Sequence, residues 1–127
     1  MARILIVDDE EMDRLLLAEV LREGGHEPLF APDGRQALTI WRNSTIDLVV
    51  TDIVMPQLDG LELLETLIAE DPDAPVIAMS GITAKNLNKA VEVGAYAILT
   101  KPVNPEELLD EISRALAGEP PYRDPGF

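Results

Sequence analysis

Leu48-Val49-Val50-Thr51 is a short apolar run that stops at Asp52. It lacks the polar alternation of a half-exposed strand and reads as a strand covered on both faces, the kind found in parallel sheets flanked by helices. Three other runs have the same build. Ile4-Leu5-Ile6-Val7 stops at Asp8-Asp9, Val76-Ile77-Ala78-Met79 stops at Ser80, and Ala97-Ile98-Leu99-Thr100 stops at Lys101. A weaker candidate, Pro28-Leu29-Phe30-Ala31, carries a proline that suits a strand near an edge.

Stretches of helical period separate the runs. Met12, Leu15, Leu16 and Val20 share one face of a first helix, which Gly24-Gly25 stops. Asp33-Gly34 is a turn signal before a short helix carrying Ala37, Leu38 and Trp41. Met55 to Gly60 reads as a loop, followed by a face of Leu61, Leu64, Leu67 and Ile68. Thr83 suits the cap of a helix carrying Leu87, Ala90 and Val91, which Gly94 closes. Asn104, Pro105 and Glu106-Glu107 open a last helix with the stripe Leu108, Ile112, Ala115 and Leu116.

Five βα units in succession, joined by right-handed crossovers, predict a doubly wound parallel sheet in a three-layer α/β sandwich. Residues 1–117 form the domain. Residues 118–127, with Pro120, Pro121 and Pro125, read as a flexible tail or linker stub.

A chain of 127 residues suffices for one domain with a proper core, and 46% hydrophobic residues argue for a folded protein. The absence of cysteine excludes disulfides and thiolate metal sites. A net charge of −14 works against direct binding to nucleic acid or anionic lipid. No segment approaches a membrane span, and the N-terminus lacks a signal-peptide layout, so a cytoplasmic location is expected. A lone histidine, His26, offers no partner for a histidine-based site. The glycine-rich phosphate loops of nucleotide-binding proteins are missing.

In doubly wound sheets the ligand crevice lies at the carboxyl ends of the strands, which is where the four polar stops fall. Asp8, Asp9 and Asp52 together offer hard oxygen ligands suited to Mg²⁺, which would relieve their mutual repulsion. Asp52, following an apolar strand and so expected to be less solvated than Asp8-Asp9, is the best candidate nucleophile. Lys101 can pair with a phosphoryl oxygen or with Asp52, and Ser80 can hydrogen-bond a phosphoryl group. Taken singly, each residue has a plainer reading. Asp8-Asp9-Glu10-Glu11 can simply open a helix, Asp52 a loop, and Ser80 can be a loop residue before Gly81; Lys101 can be a solvated charge. The weight lies in their shared position.

In this order, Ile6-Val7-Asp8-Asp9-Glu10, Asp52 with Met55-Pro56 and Asp59-Gly60, Ser80-Gly81 and Lys101-Pro102 resemble the receiver domain of bacterial two-component response regulators, of the single-domain, chemotaxis-regulator type. The match runs over about residues 3–117. The resemblance implies a flavodoxin-like strand order, 2-1-3-4-5, with five helices. It implies that Asp52 takes a phosphoryl group from a histidine kinase or phosphotransfer protein. Asp8, Asp9 and Asp52 would hold Mg²⁺ with the backbone carbonyl of Val54, and Ser80 and Lys101 would contact the phosphoryl group. By the same likeness the Lys101–Pro102 bond is cis, aiming the lysine into the site. The protein is then no enzyme beyond its own phosphorylation and dephosphorylation. It signals to a downstream effector protein, as a monomer or a phosphorylation-linked dimer.

The sequence departs from the family at Ile98, where an aromatic switch residue is usual; strand alternation places Tyr96 on the same face. Val54 and Ile82, two residues beyond Asp52 and Ser80, are apolar and expected to restrict an attacking water. Two other readings are a small aspartate-nucleophile phosphatase and an unphosphorylated interaction module. The phosphatase would want a second acid where Val54 stands, and the module leaves the set Asp8, Asp9, Asp52, Ser80 and Lys101 without a purpose.

Overall fold

The computed structural model describes residues 2–53, 60–81 and 84–121. Its elements alternate strictly: β1 (Arg3–Val7), α1 (Glu11–Glu23), β2 (Glu27–Ala31), α2 (Gly34–Asn43), β3 (Leu48–Asp52), α3 (Gly60–Glu70), β4 (Val76–Ser80), α4 (Ala84–Val93), β5 (Ala97–Thr100) and α5 (Pro105–Leu116). The five strands form one sheet in the order β2-β1-β3-β4-β5, with every pairing parallel. This is the expected flavodoxin-like α/β sandwich. The proline-bearing strand β2 lies at an edge, where its missing N–H costs no ladder bond.

The central strands serve two cores at once. Val49 packs on the side of α2, α3 and α4, with Leu63, Leu64, Leu67 and Ala90. Leu48 and Val50 face the other way, toward Leu17, Ala18 and Leu21 of α1 and Leu108 and Ile112 of α5. All five residues of β3 are buried, as are those of β4. Each fully buried leucine or isoleucine here adds about 1.5–3 kcal/mol of hydrophobic stabilisation. Two-sided burial is the reason these strands read as continuous apolar runs.

Helix α1 docks through a different face from the one its periodicity suggests. Leu17, Ala18 and Leu21 are buried, whereas Met12, Leu15 and Leu16 are 66%, 51% and 57% exposed. Val20 packs only partly. The helix is apolar over more than one stripe, so spacing alone does not choose between them. The fully buried Ala18 gives the chosen face a close approach to the sheet. In α5, Leu108 and Ile112 are buried and Ala115 packs partly, while Leu116 is exposed and falls outside the stripe.

The helix ends follow the expected chemistry. Asp33 caps α2 by accepting from the Gln36 N–H, and Asn104 caps α5 by accepting from the Glu107 N–H. Gly25 and Gly94 adopt positive φ after α1 and α4. The cap expected at Thr83 lies outside the described residues, as does the stretch 122–127 of the expected tail. Glu119 does lie against the domain, since the Tyr96 hydroxyl donates to its carbonyl at 2.9 Å.

Gly60 links the fold to the site. As the first residue of α3 it donates its N–H to the Ile53 carbonyl. A Cβ placed there would lie 2.0 Å from the Asp52 carbonyl oxygen and 2.5 Å from the Ile53 Cα. Those neighbours are backbone and have no rotamer to yield. Gly60→Ala is expected to cost roughly 1–3 kcal/mol, as overpacking does. Urea denaturation followed by circular dichroism measures it, and an unchanged midpoint would show that the two segments separate freely.

Candidate functional site

The parallel register brings the polar stops to one edge. Val7 pairs with Thr51, Asp52 with Met79, and Ser80 with Thr100. Asp8 therefore follows β1 beside the end of β3, Ser80 ends β4 one residue beyond the partner of Asp52, and Lys101 follows β5 next to Ser80. The Lys101 N–H donates to the Ser80 carbonyl at 3.1 Å, which ties the lysine's backbone to the neighbouring strand. The Lys101–Pro102 peptide is cis, as the resemblance implies.

The side chains converge. Lys101 Nζ lies 2.8 Å from Asp8 Oδ2, 2.8 Å from Asp52 Oδ2 and 3.1 Å from Asp13 Oδ2. An ammonium has three N–H donors, and here each meets a carboxylate. Asp8 is fully buried and Asp52 is 8% exposed. Burial acts to lower the Lys101 ammonium, but its hydrogen bonds to Asp52, Asp8 and Asp13 outweigh it and hold the group above the usual lysine value. A lysine raised in the fold contributes its full stability below the ordinary lysine range. That contribution disappears only as pH climbs through the raised value, so Lys101 stays charged throughout neutral conditions.

Asp8, Asp9 and Asp52 each present a carboxylate oxygen, and these oxygens lie within 4.8 Å of one another. Two of the acids are buried and Asp9 is exposed, so the cluster opens to solvent on the Asp9 side. Three hard anionic oxygens with one open side fit a Mg²⁺ ion that keeps several waters. Asp8 is braced further. Its Oδ1 accepts from the Glu10 N–H at 2.9 Å, and its carbonyl accepts from Arg14 Nη1 at 2.7 Å. Ser80 is buried at 1% exposure.

The structure thus gathers Asp8, Asp9, Asp52 and Lys101, with Ser80 on the adjoining strand end. Val54 and Ile82 lie outside the described residues, as does the Met55-Pro56 turn. Sequence reading missed Asp13 and Arg14. Both sit in the first turns of α1, where an acid and a base read as ordinary helix-surface residues. Their spacing from Asp8 on the same helical approach was the available signal. Tyr96 stands just before β5, its N–H donates to the Val76 carbonyl at 2.7 Å, and its hydroxyl bonds the Glu119 carbonyl beyond α5. Ile98 packs with the core on the α2–α4 side.

This sheet with this edge defines a receiver. The chain belongs to the response regulator receiver domain family, whose model matches residues 4–113. It is 37% identical over 122 residues to Protein PilH of Pseudomonas aeruginosa, covering 93% of this chain and 100% of that one. It is 39% identical over 111 residues, 87% of this chain, to the response regulator receiver protein Anae109_2439 of Anaeromyxobacter, but spans only 47% of that protein's length. Among solved structures, a response regulator receiver domain protein from Clostridium thermocellum matches with a TM-score of 0.88 at 30% identity, over 93% of this chain and 96% of that one. Vibrio cholerae chemotaxis protein CheY4 matches with a TM-score of 0.83 at 30% identity, over 91% and 98%. The expected family and strand order are therefore both found. No helix among the described residues is long and apolar enough to cross a membrane.

Removing the shared cation leaves buried acids without compensation. Lys101→Met is expected to lower stability in metal-free buffer by about 3 kcal/mol, the lower end for breaking a buried pair because the lysine is partly solvated. Adding Asp52→Asn should recover part of the loss by relieving repulsion. Urea midpoints of the single and double variants measure both effects, and equal midpoints for the two variants would contradict the electrostatic account.

Proposed function

We propose that this receiver accepts a phosphoryl group on Asp52 from a phosphohistidine of a histidine kinase or phosphotransfer protein, in a Mg²⁺-dependent reaction. One observation carries the reading: the Lys101 ammonium bridges Asp8 and Asp52 at 2.8 Å each, beside the three-carboxylate cluster. The family supports it, since its members are response regulator receivers.

An oxygen of Asp52 attacks phosphorus opposite the imidazole nitrogen. A P–O bond forms, the P–N bond breaks, and the imidazole leaves with the electron pair. Asp8, Asp9 and Asp52 would hold Mg²⁺, whose charge would neutralise that on the phosphoryl oxygens. Lys101 moves its N–H donors from carboxylate to phosphoryl oxygen, a short transfer because it already touches Asp52. Little covalent chemistry is left to the protein beyond the nucleophile, so positioning and electrostatics provide the catalysis. The chain transforms no external substrate beyond this acceptance and the later loss of its own phosphate.

Signalling follows as a population shift. The new phosphoryl group draws the Ser80 hydroxyl, and the β4–α4 surface settles into one of two arrangements that a downstream effector protein distinguishes. Ile98, packed on that side, transmits a smaller change than an aromatic ring. Phosphorylation-linked dimers are consistent with this scheme, as is a cytoplasmic location.

Acetyl phosphate with Mg²⁺, followed by intact mass, provides the test. The wild-type chain should gain a single phosphoryl group, and Asp52→Asn or added EDTA should abolish the gain. Rapid turnover of added phosphomonoesters would instead identify a phosphatase, and no uptake at all an inert module.

A further inference from the structure

Three carboxylates hold the Lys101 ammonium, but only two of them belong to the candidate metal cluster. Asp8 and Asp52 each serve two cations at once, the ammonium and any divalent ion bound with Asp9. An ion that drew on their oxygens would weaken the ammonium's hold there. Asp13 lies outside the cluster, on the first turn of α1, and its carboxylate keeps its 3.1 Å contact without competition. Asp13 is 35% exposed at its side chain, so it keeps part of its hydration and avoids a large burial cost. The next residue, Arg14, donates to the Asp8 carbonyl at 2.7 Å and anchors this turn of the helix to the site.

We propose that Asp13 is a positioning residue for phosphoryl acceptance, holding the Lys101 ammonium on the α1 side of Asp52 while a divalent cation occupies the carboxylate cluster. The proposal rests on the acceptor reading above. Asp13 touches neither the cation nor the incoming phosphoryl group and acts through Lys101. A helix-dipole role alone would require no contact with Lys101, and exposed Glu11 in the same turn already fills it.

The experiment compares wild type, Asp13→Asn and the control Glu11→Gln by initial rate of phosphorylation at saturating acetyl phosphate and Mg²⁺. Asp13→Asn should slow the reaction roughly five- to tenfold, somewhat less than a fully buried hydrogen bond to a charged group would cost because Asp13 is partly solvated, while Glu11→Gln should not. In a Lys101→Met background the same Asp13→Asn change should alter the rate less than about twofold, since coupled residues are non-additive. Equal slowing in both backgrounds, or equal slowing by Glu11→Gln, would overturn the proposal and leave a general charge effect.

A second measurement does not depend on phosphorylation. The chain has only three lysines, Lys85, Lys89 and Lys101, so isotope-labelled lysine ammonium resonances are readily assigned. The Lys101 ammonium signal should stay protected from exchange when Mg²⁺ is added to wild type and should broaden in Asp13→Asn. A signal equally protected in the variant would refute the contact. If wild type gains no phosphoryl mass, the acceptor reading has failed, and the ammonium spectrum still decides whether Asp13 holds Lys101.

Discussion

The Lys101 ammonium is the counter-charge that lets acids from three different segments share one edge of the sheet. Asp8 and Asp52 are nearly buried, and the cost of taking two carboxylates out of water exceeds what either could recover alone. A single cation within 2.8 Å of both turns a repulsive cluster into a bound one. The lysine is also desolvated, but its three partners more than compensate, which keeps it charged. β1, β3, β5 and α1 are thereby joined through one nitrogen atom. The same nitrogen is the group best placed to follow a charge that appears on Asp52.

That joint works only because the backbone is stiff around it. Parallel pairing sets Asp52 and Ser80 at adjoining strand ends, and the Lys101 N–H is bonded to Ser80. Gly60 brings the start of α3 against the carbonyl of Asp52 without room for a side chain. The apolar layers on both sides of β3 and β4 hold these strands in register, so the acids are placed by packing before any ion or phosphoryl group arrives. The arrangement exchanges some stability for preorganised charge, as sites for phosphoryl transfer do.

Helix α1 has two roles. Leu17, Ala18 and Leu21 dock it on the sheet, while its first turns reach the site through Asp13 and Arg14. Met12, Leu15 and Leu16 remain exposed on the outer face. Beside Lys101, a groove of about 670 Å³ runs between this helix and the β5–α5 connection, with Leu16, Leu17 and Val103 along it. The charged site and the apolar groove are therefore adjacent.

The amino-acid sequence by itself determined the alternation of strands and helices, because strands buried on both faces must be apolar throughout and must end where polar groups meet solvent. It also determined which residues stand at those ends: Asp8, Asp9, Asp52, Ser80 and Lys101 all follow or close an apolar run. The cap at Asn104 was legible for a local reason, since its side chain bonds an N–H three residues on; Asp33, read as a turn signal, caps α2 in the same way. Only the tertiary structure decided which stripe of α1 is buried, because a helix apolar on more than one side is docked by fit against its neighbours rather than by period. It alone decided that Asp13 joins Lys101 at the site, and that the Tyr96 hydroxyl bonds the Glu119 carbonyl. Those contacts span separations such as the 88 residues between Asp13 and Lys101, and no local pattern encodes a distance that exists only after the sheet has closed its crossovers.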